Sequence, residues 1–315
     1  MIRILNLDPE FYSEKACELL RSVGEYSEKT MTRTEFCSEV ENVDVLILRF
    51  SHRIDSEILN RAKKLKVIGT NVTGLDCLDI SEIKKRGIVL FSLKGETEFL
   101  RTIHATAEHT WGLLLSLVRR VPQAFDSVKA GAWKRNNFVG VELFGKNIGI
   151  VGLGRIGEKI AKYAQAFSMK VFAFDPVKRD IPGIIHCRTL EELLSKSQFL
   201  TLHVPLSKDT LHLLNERTLS LLPDKAWLVN TSRGKVVNEA ALLSALNSGC
   251  LAGAALDVLE EEETPIFSNP LREYANTHDN LILTPHIGGA TWESWEKTEV
   301  FIAEKVSEYL RRNVK

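Results

Sequence analysis

The glycine-rich stretch near the middle of the chain reads Val151-Gly152-Leu153-Gly154-Arg155-Ile156-Gly157, directly after the apolar run Asn147-Ile148-Gly149-Ile150. In such a strand–turn–helix unit the first glycine permits a tight turn and the second lets the backbone approach a pyrophosphate. The third lets the helix pack closely on the strand. The helix N-terminus then points at the phosphates, where its dipole favours negative charge. The stretch predicts a dinucleotide site; the alternative is a turn of the same shape without a ligand.

An acidic residue follows at the end of the next predicted strand. Asp175 directly follows the apolar run Lys170–Phe174 and lies 18 residues beyond Gly157. A carboxylate at this spacing accepts hydrogen bonds from the adenosine ribose hydroxyls and repels a 2′-phosphate. The sequence therefore predicts NAD rather than NADP, although Lys178 and Arg179 are cations that could accommodate that phosphate. The alternative is that Asp175 is a solvated turn residue.

The composition limits the classes of function. At 315 residues the chain is long enough for two domains, and its 41 Lys and Arg balance its 41 Asp and Glu. There is no net positive field to attract nucleic acid or an anionic membrane. The N-terminus lacks an apolar signal-peptide region, and the five cysteines have neither metal-ligand nor redox spacing. We expect a cytoplasmic protein with reduced thiols, no nucleic-acid partner, no membrane span and no metal.

Short β-branched or Leu-rich runs alternate with amphipathic segments, which is the pattern of α/β domains with parallel sheets. The predicted strands are Ile2–Leu7, Val45–Leu48, Lys66–Ile68, Ile88–Phe91, Lys146–Val151, Lys170–Phe174, Phe199–His203, Ala226–Asn230, Gly253–Leu256 and Leu281–Thr284. Two long helices are predicted, at Thr102–Val121 and Thr291–Leu310.

Polar residues follow three of these strands, at the edge where open parallel sheets bind ligands. They are Arg233, a run of four glutamates at 260–263, and His286. An Arg binds a substrate carboxylate as a planar fork and polarises the neighbouring carbonyl. A His takes the hydroxyl proton as hydride leaves, and a Glu fixes the imidazole tautomer and stabilises the imidazolium. The trio suits oxidation of a 2-hydroxy acid; the alternatives are a structural Arg, a solvated acidic face and a satisfied buried imidazole.

With these segments the chain resembles the D-isomer-specific 2-hydroxyacid dehydrogenase family, which includes D-3-phosphoglycerate dehydrogenases. The resemblance extends over essentially the whole chain, through Gly131-Ala132-Trp133, the glycine-rich stretch, His203-Val204-Pro205-Leu206, Asn230-Thr231-Ser232-Arg233-Gly234 and Pro285-His286-Ile287-Gly288-Gly289. It implies that Arg233, Glu262 and His286 are the catalytic residues. Glu262 is selected from the acidic run by its offset of 29 residues from Arg233.

The same resemblance implies the residues that contact NAD: Gly152, Gly154, Arg155, Ile156, Gly157, Asp175, His203, Pro205, Thr231 and Asp257. Asp257 and the Thr231 carbonyl would orient the nicotinamide carboxamide. The implied substrate residues are Thr73 and Gly74, whose N–H groups meet the carboxylate. Arg49 is expected to meet a second anionic group such as a phosphate, with His52 and Arg53 either beside it or in a solvated loop.

The family inserts its NAD domain into its substrate domain, which explains why the glycine-rich stretch begins near mid-chain. We expect a Rossmann NAD-binding domain at residues 99–287, inserted into a flavodoxin-like substrate domain made of residues 1–98 and 288–315. The resemblance implies a homodimer through the NAD-binding domain and no added regulatory domain after the last helix. Segment 96–104 is bulky and charged where many family members are small and polar.

The expected activity is hydride transfer between NAD(H) and a D-2-hydroxy acid or its 2-oxo acid. Phosphorylated or otherwise doubly anionic acids such as 3-phosphoglycerate are among the candidate substrates. The alternatives are an NAD(H)-sensing binding protein of the corepressor type and a formate dehydrogenase. The intact pair of Glu262 and His286 argues against formate dehydrogenase, because that reaction needs no general acid–base.

Overall fold

A computed structural model describes residues 1–177, 180–262 and 268–313. The chain divides into two compact units, of which the first is Met1–Ile103 with Ala290–Lys315 and the second is His104–Gly289. Residues 288 and 289, predicted in the substrate domain, thus lie in the second unit, and residues 99–103, predicted in the NAD-binding domain, lie in the first. The reason is packing, since Leu100 and Ile103 are buried in the first unit's apolar cluster.

The first unit is built on a parallel sheet. Its strands are β1 (Arg3–Asn6), β2 (Glu25–Glu28), β3 (Val45–Leu48), β4 (Val67–Thr70) and β5 (Val89–Phe91). Before the chain enters the second unit, the helices of the first unit are α1 (Glu14–Arg21), α2 (Arg33–Glu39), α3 (Ser56–Arg61), α4 (Ile80–Lys85) and α5 (Thr97–Arg101). In the described chain the strand order is β2-β1-β3-β4-β5, all parallel. This is the order of flavodoxin-like doubly wound folds, as the sequence predicted.

The second unit has a larger parallel sheet. Its strands are β6 (Asn147–Val151), β7 (Lys170–Phe174), β8 (Ile184–His186), β9 (Phe199–Leu202), β10 (Ala226–Asn230), β11 (Leu251–Leu256) and β12 (Leu281–Leu283). Its helices are α6 (Ala105–Val118), α7 (Val121–Lys129), α8 (Arg155–Ala166), α9 (Leu190–Lys196), α10 (Glu216–Leu219), α11 (Glu239–Asn247) and α12 (Pro270–Ala275). Over the described residues the order is β12-β11-β10-β9-β6-β7-β8. This is the dinucleotide-binding order with one strand added, so the predicted fold class is confirmed.

The long helix α13 (Trp292–Asn313) returns to the first unit. Its buried side, which includes Ile302 and Val306, packs in one apolar cluster with Ile47 of β3. Gly69 of β4 permits this close approach, because a Cβ there would lie 3.1 Å from the side chains of both Ile302 and Val306. The first unit is therefore completed by the last segment of the chain.

Segment 96–104 contacts the same helix. Phe99 stacks on Phe301 with ring centroids 3.9 Å apart, and Glu96 forms an ion pair with Lys305. The bulky and charged side chains that distinguish this segment thus attach it to α13.

The predicted helix Thr102–Val121 is shorter in the structure and is followed by a second helix. Arg120 adopts a left-handed backbone with φ of 55°, which separates α6 from α7. Pro122 then occupies the first turn of α7, where its missing N–H costs no helical hydrogen bond. No helix within the described ranges is long and apolar enough to cross a bilayer.

Candidate active site

The glycine turn lies where the strand order of the second unit reverses, between β6 and β9. Gly152 has φ of +88°, and a Cβ on it would lie 2.6 Å from the carbonyl oxygen of His203, just after β9. A Cβ on Gly157 would lie 2.1 Å from the carbonyl oxygen of Gly152. Both positions therefore require glycine for the turn to pack between the β9 loop and α8. Gly154, at the N-cap of α8, is different, because a Cβ there would meet no protein atom within 4 Å.

The N-terminus of α8 is positively charged. Arg155 and Ile156 form its first turn, and burial lowers the pKa of Arg155. Among the described residues no carboxylate pairs with the Arg155 guanidinium. Lys159 lies one turn later, and its pKa is lowered by burial and by the charge of Arg155. A helix N-terminus, a guanidinium and open space beside Gly154 together fit an anionic group such as a pyrophosphate.

Asp175 lies against the glycine turn. Its Oδ2 accepts the N–H of Leu153 at 2.7 Å, and its Oδ1 accepts the N–H of Val177 at 2.8 Å. The carboxylate is thus fixed at the end of β7 in the place where the sequence predicted a ribose-binding acid. Lys178 and Arg179, the cations considered for NADP, lie outside the described residues.

The loop after β9 supplies His203 and Pro205. The Nε2 of His203 lies 2.8 Å from the hydroxyl of Thr201, and burial lowers the pKa of His203 to about 3. This imidazole is therefore neutral at working pH. The carbonyl of Pro205 accepts the hydroxyl of Thr210 at 2.6 Å, which shapes the exposed part of the loop.

The structure brings Glu262 and His286 together. The carboxylate Oε2 lies 2.7 Å from the imidazole Nδ1, although the two residues are 24 positions apart in sequence. The other acidic residues of the run have different partners: Glu260 accepts the N–H of Glu239, and Glu261 pairs with Lys235. Glu263 lies outside the described residues.

The Arg233 loop is shaped by the residue that ends β10. The Asn230 amide accepts the N–H and hydroxyl of Ser232 and donates to the carbonyl of Arg233. A Cβ on Gly234 would lie 1.9 Å from the carbonyl carbon of Leu259, so this loop packs directly on the loop that leads to Glu262. The hydroxyl of Thr231 lies 2.7 Å from that of Thr110 on α6.

Asp257 is buried at the end of β11 and holds the His286 loop. Its carboxylate accepts the N–H groups of Ile287 and Gly288 and the hydroxyl of Thr284. It also contacts His109 of α6, at 3.1 Å. Burial raises the pKa of Asp257, but the hydrogen bonds from His109, Thr284 and Ile287 outweigh burial and hold it below its usual range. His109 was not among the predicted site residues.

The predicted substrate residues all lie in the first unit. Thr73 and Gly74 follow β4 in a partly exposed loop, and no hydrogen bond among the described residues uses their N–H groups. Arg49 follows β3 and forms an ion pair with the buried Glu299 of α13. Its guanidinium also lies 4.4 Å from the ring centroid of Trp295. The prediction that Arg49 binds a second anionic group therefore concerns a side chain that already has a carboxylate partner.

Comparison with known proteins agrees with this geometry. Residues 111–288, more than half of the chain, match the description "D-isomer specific 2-hydroxyacid dehydrogenase, NAD binding domain". The chain belongs to the D-isomer specific 2-hydroxyacid dehydrogenase family. The matched residues include the glycine turn and all three predicted catalytic positions, and they extend over most of the second unit.

Members of the family differ in length and in name. The chain is 36% identical to D-3-phosphoglycerate dehydrogenase of Methanocaldococcus jannaschii, over 99% of this chain and 58% of that protein. It is 38% identical to glyoxylate reductase of Pyrococcus furiosus, over 91% of this chain and 85% of that protein. The chain thus spans little more than half the length of the phosphoglycerate dehydrogenase.

A solved structure is also similar. D-lactate dehydrogenase of Aquifex aeolicus, complexed with NAD and lactic acid, has a TM-score of 0.85 at 30% identity, over 99% of this chain and 96% of that one.

Proposed function

We propose that the chain is an NAD-dependent D-2-hydroxyacid dehydrogenase, which interconverts a D-2-hydroxy acid and its 2-oxo acid. The observation that carries this proposal is the contact of 2.7 Å between Glu262 and His286 at the carboxyl edge of a dinucleotide-binding sheet. A carboxylate-paired imidazole is the acid–base group that this reaction needs.

The glycine turn and the N-terminus of α8 would hold the pyrophosphate of NAD. The space beside Gly154 and the guanidinium of Arg155 support this assignment. Asp175 would accept hydrogen bonds from the adenosine ribose, and its charge would disfavour the 2′-phosphate of NADP. His203, Pro205, Thr231 and Asp257 would contact the remainder of the cofactor. When bound, the nicotinamide ring supplies or accepts the hydride.

The catalytic roles follow from the chemistry of the side chains. In oxidation, Nε2 of His286 takes the proton of the substrate hydroxyl, and it returns that proton during reduction. Glu262 holds Nδ1 and stabilises the imidazolium that forms. Arg233 would bind the carboxylate and polarise the adjacent carbonyl, which a planar guanidinium does better than an ammonium.

The substrate class is a small anionic 2-hydroxy or 2-oxo acid. The N–H groups of Thr73 and Gly74 would donate to its carboxylate, since no described group uses them. The relatives' names include both glyoxylate reductase and phosphoglycerate dehydrogenase, so singly and doubly charged acids both belong in the test.

Initial rates over a panel of 2-oxo acids test this proposal. The panel includes glyoxylate, pyruvate, hydroxypyruvate and 3-phosphohydroxypyruvate, each with NADH and with NADPH. We expect turnover of at least one acid, with NADH preferred. NADH binding without turnover of any acid would contradict the proposal and favour a dinucleotide-sensing role.

We also propose a homodimer through the second unit. Helix α7 has no buried residue, and large apolar side chains from this region to Phe144 are exposed. They include Phe125 at 62%, Trp133 at 89%, Val139 at 78% and Phe144 at 75% exposure. A second copy covering this surface would remove a large apolar patch from water. Sedimentation of wild type and of Phe125→Asp tests this, and a wild-type monomer would contradict it.

A reducing compartment such as the cytoplasm is proposed as the location. All five cysteines are free thiols, and Cys17, Cys37 and Cys187 are buried. Free buried thiols are usual where disulfides do not form.

A further inference from the structure

The loop that carries His286 is held in an unusual backbone conformation. His286 has φ of 54°, in the left-handed region, which costs a non-glycine residue about 1–2 kcal/mol. Such a conformation persists only where surrounding contacts over-determine it. The proposed acid–base residue therefore depends on the contacts that hold residues 284–288.

Asp257 provides those contacts. Its carbonyl accepts the N–H of His286 at 2.9 Å. Its Oδ1 accepts the N–H of Ile287 at 2.9 Å, and its Oδ2 accepts the N–H of Gly288 at 2.7 Å. A Cβ on Gly288 would lie 2.9 Å from Oδ2, so the loop lies directly on the carboxylate. Three consecutive N–H groups of the loop, those of residues 286–288, thus donate to one residue.

His109 contacts this carboxylate from the other side. Its Nε2 lies 3.1 Å from Oδ1 of Asp257 and 3.2 Å from the hydroxyl of Thr284. The Thr284 hydroxyl donates to the same Oδ1 at 2.5 Å, so its hydrogen is already used. Because an ionised carboxylate can only accept, Nε2 of His109 carries a proton and donates. The donor comes from the helix α6 and not from a loop.

The neighbouring residue on α6 supports a second catalytic loop. The hydroxyl of Thr110 lies 2.7 Å from that of Thr231, in the loop that carries Arg233. The side chain of Thr106, one turn earlier, lies within 3.3 Å of where a Cβ on Gly288 would be. One face of α6 thus reaches both loops.

We propose that His109 is a positioning residue. Its Nε2–H fixes Asp257 and thereby holds the 284–288 loop, so that His286 keeps its hydrogen bond to Glu262. This inference rests on the proposed function, because that function makes His286 the acid–base group. Within the described residues, His109 bonds to Asp257 and Thr284 and not to Glu262. It acts through the carboxylate of Asp257.

The first test is independent of activity. In full-length His109→Leu we expect amide hydrogens in residues 284–289 to exchange about 10-fold faster than in wild type. His109→Gln places an amide nitrogen near the position of Nε2 and should restore the slow exchange. His278→Gln is the matched control, since that histidine stacks on Tyr274 away from this loop. Wild-type exchange in the Leu variant would overturn the inference.

The second test is kinetic. With the best 2-oxo acid of the panel, His109→Leu should lower kcat about 10-fold or more, and this loss should exceed any change in NADH affinity. His109→Gln should recover most of kcat. In a His286→Ala background, His109→Leu should cause no further loss, because it acts through His286. Additive losses, or unchanged kcat with a loosened loop, would overturn the inference.

The two tests separate the two proposals. If no acid is turned over but the exchange result is obtained, the proposed function fails and the contact of His109 with the loop stands. If turnover is found and neither readout changes, the function stands and the positioning role fails. If His109→Leu does not fold, His109→Asn replaces it, because its shorter amide does not reach the position of Nε2.

Discussion

The carboxylate of Glu262 and the imidazole of His286 share a hydrogen bond, with Oε2 lying 2.7 Å from Nδ1. Because the carboxylate only accepts, Nδ1 carries the proton, and in the neutral ring the lone pair is on Nε2. That tautomer is the one able to take a hydroxyl proton. The pair therefore sets both the orientation and the protonation pattern of the imidazole.

Replacing His286 tests its acid–base role. We expect His286→Ala to lower kcat by roughly 100- to 10,000-fold, as for other general acid–base residues, while NADH affinity stays near wild type. Single-turnover rates and NADH fluorescence titration measure the two quantities. A variant with near-normal kcat would remove His286 from this role.

The assignment of Glu262 within its acidic run has a built-in control. Glu262→Gln should lower kcat about 10- to 100-fold, because an opposite charge beside the imidazole favours the imidazolium that forms in the reaction. Glu261→Gln should stay close to wild type, since Glu261 pairs with the half-exposed Lys235 and such surface pairs contribute little. Equal losses in the two variants would argue against a special role for Glu262.

Gly154 offers a test of cofactor binding that leaves the protein's own packing unchanged. Its φ of −79° is allowed for alanine, and the added Cβ meets no protein atom within 4 Å. Gly154→Ala should therefore fold with the wild-type melting temperature and yet bind NADH at least about 10-fold more weakly, because the pyrophosphate needs that space. Gly152→Ala, with φ of +88°, should lose stability as well. Unchanged NADH affinity in Gly154→Ala would place the cofactor elsewhere.

The glycine turn and the strand-end residues could be predicted from sequence because each is tied to a local pattern. The turn follows an apolar strand, and Arg233 and His286 come within three residues of the ends of predicted strands. β2 could not be predicted in this way, because Glu25-Tyr26-Ser27-Glu28 is an edge strand with polar residues and no apolar run. Its position depends on pairing with β1, which local sequence does not encode.

His109 was overlooked for a related reason. It lies within α6 between Glu108 and Thr110, and its partner Asp257 is 148 positions away. A histidine in a helix has no spacing that distinguishes a positioning residue from a surface one. The helix α6 was expected to end at Val121 but ends at Val118, and α7 was not predicted, because the left-handed residue between them is an arginine and not a glycine.

The buried carboxylate of Asp257 predicts how stability depends on pH. Its pKa in the folded protein lies below the ordinary value of 3.8, so its stabilising effect is present above that value and is lost as pH falls through the folded pKa. At neutral pH, Asp257→Asn should lower the free energy of unfolding by about 2 kcal/mol relative to wild type, because charge-assisted hydrogen bonds are lost. Urea unfolding at a series of pH values should show this difference narrowing below 3.8. A difference that is constant with pH would contradict this account.

Variants of the buried pair of Arg49 and Glu299 can distinguish a structural role of Arg49 from a role in substrate binding. Glu299 is fully buried, and burial raises its pKa while the N–H of Ser13 and the charge of Arg49 oppose that effect. Arg49→Met leaves this carboxylate without its cation and should cost about 3–5 kcal/mol in the free energy of unfolding. The double variant Arg49→Met/Glu299→Gln should recover most of that loss. In the double variant, kcat/KM for 3-phosphohydroxypyruvate should then fall at least about 10-fold more than for glyoxylate if Arg49 binds a second anionic group. An equal change for both acids would leave Arg49 with its structural role alone.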